Sequence, residues 1–414
     1  MWEMNRSMRR DFPAWMICYV LLGFVQSGLV PVVLPLASPP GPAAGLTYAA
    51  FAVTGIAAPF VGAWSDRHRR HRWTLAGGVT LAGLALAAHA LPGGVQQHML
   101  SAAAMGLGVA SASTVGSMLI VEVAPMDRWD RQIGTLQACI GSGQLAGLLV
   151  AGVLATRHMD AALLLGAGLL LLAAPLALAL APDPIATVPR AAVAPRPVRG
   201  GDAAQMGPAR SMHRLTRHAL AGLGHSGLTW FLAAWLVSYT ATNGLSVMFA
   251  VAMVRQFHAS ATLPTVAYAV GVGLSLALYR SVSSWDARFG PWRVLTAGIG
   301  LRACLVAAMM LNAAFGAGSA ILPFLALFAA TQVVWPLLSV ASNTLAVTLS
   351  PAHRAESVGL LNAATSLGAT AGGALGGTLL PYGFAWLCAA VFGALLVALG
   401  LAWHPKVRID LAAA

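Results

Sequence analysis

The stretch Gly62-Ala-Trp-Ser-Asp-Arg-His-Arg-Arg-His-Arg-Trp73, GAWSDRHRRHRW, sets seven consecutive ionisable side chains, Asp66 to Arg72, between two long apolar runs. Three readings compete: a nucleic-acid patch, a metal site, or a turn on a membrane surface. Composition decides among them. Of 414 residues, 58% are hydrophobic and only 9% charged, against about 25% charged in a soluble domain. A body this size with so few charges has no ordinary solvated surface, so the bilayer is the expected solvent.

The net charge of +12 comes from 24 Lys and Arg against 12 acids. Of those cations, 21 fall in the N-terminus, alternate loops and the C-terminus. Arg157 and Arg255 fall on the opposite side and Arg302 inside a span. That asymmetry is the positive-inside rule, which orients a membrane protein without a polyanion partner, so nucleic acid is excluded as the partner. No cysteines or intramembrane carboxylates converge on His68 and His71, and no metal is expected there. Cys18, Cys139, Cys304 and Cys388 each sit in a different apolar stretch and read as small buried hydrophobes. The basic N-terminus precedes a first span with no small-residue cleavage site after it, so that helix is expected to be retained.

A spanning helix needs about 20 apolar residues. Such stretches run at 14–37, 43–64, 73–91, 98–121, 133–155 and 161–181, then at 226–250, 261–282, 292–314, 319–348, 357–380 and 384–403. Twelve spans put both termini on the cytoplasmic side. The expected fold is an all-α membrane protein of two six-helix bundles, 1–181 and 218–414. Between them, 182–217 is rich in proline and arginine and reads as a cytoplasmic linker.

The halves echo each other. Pro125-x-x-Arg128-x-Asp130 precedes Gly134 and Gln137, and Pro351-x-x-Arg354-x-Glu356 precedes Gly359 and Asn362. The offset is 226 residues up to the acid and 225 after it. Trp285-Asp-Ala-Arg-Phe-Gly-Pro-Trp-Arg293 repeats the opening stretch, with Asp286 standing 220 residues after Asp66. A duplicated six-helix unit is the organisation of a secondary transporter with its site between the repeats.

With those residues in view, the chain resembles the major facilitator superfamily, marked by Gly-x-x-x-Asp-Arg-x-Gly-Arg-Arg after the second span. Gly62, Asp66 and Arg67 match, followed by Arg70 and His71 at the basic pair. Arg69 departs from the pattern, standing where the family has glycine. Asp286, Arg288 and Gly290 keep the motif in the second half, with Ala287 inserted. The resemblance implies alternating access of two bundles about a central site. It also implies a gating latch in which the Asp66–Arg67 turn closes against the start of the eleventh helix near Glu356, with Arg128, Asp130 and Arg354 in the matching junctions. Glycines at four-residue spacing, Gly368, Gly372 and Gly376 in the eleventh span and Gly143 and Gly147 in the fifth, are expected to let the moving halves pack closely. The family's antiporters carry Gly-Pro in the fifth span. Here GSGQLAGLLVAG has no proline, which weighs against proton-antiport export.

The resemblance also implies that the first, fourth, seventh and tenth helices line the cavity. Candidates there are Tyr19 and Gln26; Ser111 and Thr114; Trp235, Tyr239, Thr242 and Asn243; and Gln332, Trp335 and Asn343. Gln137, Gln144 and Asn362 join them from the fifth and eleventh. Amides face lipid poorly, so these are expected to point inward. All twelve acids fall in loops or at span ends, which disfavours cationic cargo and a carboxylate proton relay. The expected function is secondary transport of a small organic molecule across the bacterial inner membrane, as efflux of a drug or metabolite. The alternative is import of a neutral or anionic solute such as a sugar, carboxylate or siderophore. Protons are the candidate coupling ion, a monomer is expected and no cofactor is called for. A membrane enzyme would need clustered catalytic acids or histidines at one membrane face, and none is found in the sequence. A non-transporting receptor on the same scaffold is the other class.

Overall fold

The computed structural model describes residues 13–39, 41–123, 129–154, 158–182, 226–315, 321–349, 354–405, 407, 409 and 411. The linker reading of 182–217 falls almost wholly outside them. The described chain forms helices α1 (Ala14–Ala37), α3 (His71–His89), α4 (Val95–Val123), α5 (Trp129–Leu154) and α6 (Met159–Leu180). Helix α2 runs Ala43–Val53, makes a 3-10 turn at Thr54–Ala57 and continues as Ala58–His68. The second set is α7 (Gly227–Arg255), α8 (Thr262–Phe289), α9 (Pro291–Phe315), α10 (Ile321–Thr348), α11 (Arg354–Leu379) and α12 (Phe384–Ala402).

Among the described residues, nine helical stretches are long and apolar enough to cross a membrane. The set leaves out α2, α3 and α11, although Ala43–Ala57 of α2 is a shorter apolar helix. Large apolar side chains point outward along these helices, including Leu100, Val153, Leu164, Phe315 and Leu322, each more than half exposed. In water such a surface would drive association; in a bilayer it is the matching solvent face.

Helix pairings recur six helices apart. Helix α1 packs on α5 as α7 packs on α11; α3 on α6 as α9 on α12; α2 on α4 as α8 on α10. Across the two sets, α2 meets α11 and α5 meets α8, again a symmetric exchange, while α1 meets α7. The anticipated glycine seams therefore act inside a set, not between the moving halves. A Cβ on Gly143 would lie 2.8 Å from Phe24 N of α1, and one on Gly372 2.8 Å from Gly244 N of α7. The seam between the sets uses the neighbouring face of α11: a Cβ on Gly45 of α2 would come within 2.6 Å of Gly377 Cα.

Besides the 3-10 turn of α2, two further helices are irregular. Helix α1 widens into a π-type turn at Phe24–Leu29, opposite Gly143 and Gly147. Helix α10 breaks at Val334, ahead of Pro336, whose missing N–H and ring interrupt the hydrogen-bond ladder.

Candidate functional site in a central aromatic cleft

The two sets of helices are joined at one end. There Arg255 of α7 donates from Nη2 to the Ser38 carbonyl after α1, 3.0 Å, and Thr262 of α8 donates to the Gly152 carbonyl of α5, 2.7 Å. The Gly45–Gly377 approach belongs to the same end. Contacts continue inward to Gly55, whose Cβ would meet the Ser366 side chain, and to Gly141 against Leu276. Towards the other end, which carries the 62–73 turn, Gln137, Tyr279, Asn343 and Asn362 are exposed. Among the described residues the cleft is closed at the Ser38–Arg255 end, and no bond between the two sets is described at the turn end, here termed the open end.

Its wall on the second set is aromatic. Trp235, Tyr239 and Trp335 form a triangle with ring centroids 5.8, 5.8 and 6.3 Å apart. Trp235 is fixed by its indole N–H, which donates to Thr365 Oγ1 of α11 at 2.8 Å. Trp335 starts the second segment of α10, so the break at Val334 aims it. Below them, the Tyr279 and Ser339 hydroxyls lie 3.3 Å apart. Towards the closed end, Asn243 Nδ2 donates to the Tyr48 hydroxyl across the two sets at 3.4 Å, and Asn243 Oδ1 is buried without a partner. On the first set, Ser113 donates to Gln26 Oε1 at 3.1 Å, joining α4 to the π-type turn of α1.

Arg302 sits one layer behind this wall, 2% exposed. Its Nη2 donates to the Thr331 carbonyl at 2.6 Å and its Nη1 to Thr242 Oγ1 at 3.2 Å. The first of those acceptors lies in the turn of α10 just before the break. A cation in the membrane is costly unless its donors are used, and here both contacts tie α9 to α10 and α7. Gln332 turns to Ser246, 3.4 Å away.

The sequence-predicted cavity residues separate accordingly. Trp235, Tyr239, Asn243 and Trp335 come together, Gln26 is bonded to Ser113 within the first set, and Gln137, Asn343 and Asn362 are exposed towards the turn end. Gln144 is half-buried on α5. Thr242 is occupied by Arg302. Tyr19 is fully buried, its hydroxyl donating to the Ala112 carbonyl inside the first set. Thr114 bonds back to the Ala110 carbonyl and packs under Gly62. Ser111 lies against Gly78 of α3, away from the cleft. Sequence reasoning missed Tyr48 and Tyr279, which sit on helices not expected to line the cavity, and Thr365, on the eleventh helix that was expected to contribute only Asn362. Their signal was a polar side chain at mid-span.

The family model of the Major Facilitator Superfamily matches residues 15–346. The chain belongs to that superfamily. It is a membrane transporter, not an enzyme, and its cargo is a small molecule. Solved structures agree in fold. An inward-open xylose transporter, XylE of E. coli, superposes with TM-score 0.69 at 15% identity, covering 97% of this chain and 98% of the other. A bacterial homologue of the iron transporter ferroportin in an inward-facing state gives 0.70 at 17% identity over 95% and 98%. A mutant of the nucleoside transporter NupG gives 0.72 at 13% over 97% and 98%. At such identities the likeness is one of fold alone. No curated protein sequence matches the chain.

The superfamily turn itself is laid out as follows. Gly62 packs closely on α4: a Cβ there would meet the flexible Met118 Cε at 2.6 Å and Thr114 Cγ2 at 3.1 Å. Arg67 and Arg70 are exposed, and Arg69 takes the left-handed conformation, φ 51°. His71 Nδ1 lies 2.9 Å from Ser65 Oγ, and His68 Nδ1 donates to the Trp64 carbonyl at 2.8 Å. In the second half, Gly290 has φ 83° and the exposed Arg288 lies over the Phe289 ring. Asp286 is 8% exposed; Thr344 donates to its Oδ2 at 3.4 Å and its Oδ1 is unpartnered. Burial pushes its carboxyl above the usual carboxylate range, opposed by the Thr344 bond. The side chains of Asp66, Asp130, Arg354 and Glu356, and residue Arg128 entirely, lie outside the described residues.

Proposed function

We propose that this superfamily member is a secondary transporter that moves a small, ring-bearing, uncharged organic molecule out of the cell by alternating access. The observation that carries the reading is the Trp235–Tyr239–Trp335 triangle, braced by Thr365 and opening beside hydroxyls and amides. Rings at these spacings pack on one another, so a flat apolar body would lie against the partly exposed Tyr239 and Trp335 with the buried Trp235 behind them, and hydroxyls and amides would fix its polar edge. The lack of acids within the spans supports uncharged cargo.

The arginine asymmetry supports an inner-membrane location with both termini in the cytoplasm. In that orientation the open cleft faces the cytoplasm. The proposed architecture keeps the two bundles, 1–181 and 218–414, with 182–217 as tether, acting as a monomer. The proposed latch joins the 62–73 turn to the start of α11 when the open end closes, with Asp66 as acceptor; Asp66→Asn is expected to slow flux while the protein remains inserted.

A second reading, uptake of a polar solute, takes support from the amide-rich open end and from the missing fifth-span proline. Structural neighbours that transport a nucleoside and xylose agree with a polar cargo. The deciding experiment compares proteoliposome flux of planar aromatic drugs with that of nucleosides and pentoses, with and without a pH gradient. The leading reading requires drug flux that Trp335→Ala weakens through KM. Nucleoside or pentose flux alone selects the second reading, and binding without any flux leaves a receptor.

A further inference from the structure

On the outer face of the first set, away from the cleft, helices α2, α3 and α4 enclose an open groove of about 450 Å³. Phe60 and Trp64 of α2 form one wall, Trp73 and Leu81 of α3 the other, and Leu107 of α4 lies at the back. Gly77 and Gly78 make the floor. The hydroxyls in the lining are already used: Thr74 donates to the Ser65 hydroxyl or the Arg70 carbonyl, and Ser111 donates to the Leu107 carbonyl. What remains is apolar and faces the membrane, with Phe60, Trp64 and Trp73 about half exposed.

The groove runs up to Trp64 and Trp73, which flank the arginine turn, although no arginine lines it. Arg67, Arg69 and Arg70 are exposed there, and Arg72 Nε is buried without a hydrogen-bond partner. Helix α3 starts beneath them with no side-chain cap and no acid in its first turn. A helix N-terminus and a cluster of guanidinium groups both favour phosphate. Trp64 and Trp73 flank the charged turn, and tryptophan is the residue type enriched at membrane–water interfaces. Trp64 is held in place by the His68 ring, 4.9 Å away, and by the bond from His68 to its carbonyl.

We infer that this groove is a binding site for an anionic phospholipid, with an acyl chain along Gly77 between Trp64 and Trp73 and the phosphate against Arg69, Arg70 and Arg72. Charge complementarity chooses the occupant: a zwitterionic lipid fills the groove equally well but gains nothing from three adjacent cations. The proposal is independent of the central cleft and of what is transported.

The test is native mass spectrometry of the full chain titrated with dioleoylphosphatidylglycerol or dioleoylphosphatidylcholine. The wild type is expected to retain phosphatidylglycerol preferentially. Each arginine near an anionic headgroup changes binding about fivefold, so the Arg69→Gln, Arg70→Gln, Arg72→Gln variant should lose the preference while still carrying phosphatidylcholine. A Cβ at Gly77 would meet nothing within 4 Å, so Gly77→Leu adds its side chain into the groove and should lose the retained lipid of both kinds. Equal retention of the two lipids by the wild type overturns the inference. So does a phosphatidylglycerol preference that survives in either variant.

Discussion

Arg69 and Gly290 hold the same turn position in the two halves, and both stand at positive φ, 51° and 83°. One half uses glycine, which pays no steric cost there; the other forces an arginine into the left-handed region. The family pattern asks for glycine at residue 69, and the tight turn is made all the same. Its backbone is held by Arg70 N donating to the Ser65 carbonyl and by Thr74 N donating to the Arg70 carbonyl.

Replacing Arg69 with glycine should therefore stabilise the turn. Left-handed strain costs a non-glycine residue about 1–2 kcal/mol, and the added chain entropy of glycine offsets roughly half of it. Thermal midpoints in detergent should rise slightly for Arg69→Gly and fall for Arg69→Val. Equal losses in both would show that the arginine side chain, not the backbone, holds the turn.

Gly45 meets Gly377 where the two sets of helices are joined. A valine there has no room, since Gly377 Cα stands 2.6 Å from where its Cβ would lie. Gly45→Val should hold that end apart. A cysteine at Ser38, which is 3% exposed, should label slowly with a water-soluble maleimide in the parent and at least several-fold faster beside Gly45→Val. Unchanged labelling would mean that the end closes without this contact.

Thr242 accepts from the buried Arg302 guanidinium. Thr242→Val keeps the shape and removes the acceptor, at a cost of about 1.5–3 kcal/mol for a bond to a charged group. Thr242→Ser keeps the acceptor and should cost under about 1 kcal/mol. Comparing their unfolding midpoints tests whether Arg302 depends on this hydroxyl.

Asp286 should make stability fall with rising pH. Its carboxyl is raised above the ordinary 3.8 by burial, so the folded state keeps its proton where the unfolded chain has lost it. The contribution is full below the unfolded value and is lost as pH climbs through the folded one. Asp286→Asn should then raise the thermal midpoint at pH 7 and change it little at pH 4. A gain of the same size at both pH values would assign the effect to packing.

The mutual arrangement of these sites was only partly legible in the sequence. Mid-span amides and aromatics flagged Trp235, Tyr239 and Trp335, because a polar or amphipathic group inside a bilayer must turn from lipid. The same logic also selected Tyr19 and Ser111, which satisfy themselves on backbone carbonyls within one set of helices. A helical face does not say which neighbour it meets, so Tyr48 and Thr365 were passed over.

Taken alone, the sequence determined the solvent, the helices and the internal repeat. Hydropathy, arginine asymmetry and motif spacing are properties of the chain read in order, and the bilayer enforces helix wherever the backbone is apolar. The tertiary structure decided the rest: which end of the cleft is closed, which glycine face of α11 joins the two sets, and what Arg302 is bonded to. It also set the backbone of GAWSDRHRRHRW, where Ser65 and Arg70 carbonyls fix a conformation that the residue type at 69 disfavours. Those outcomes depend on contacts between residues far apart in sequence, whose energies no local pattern records.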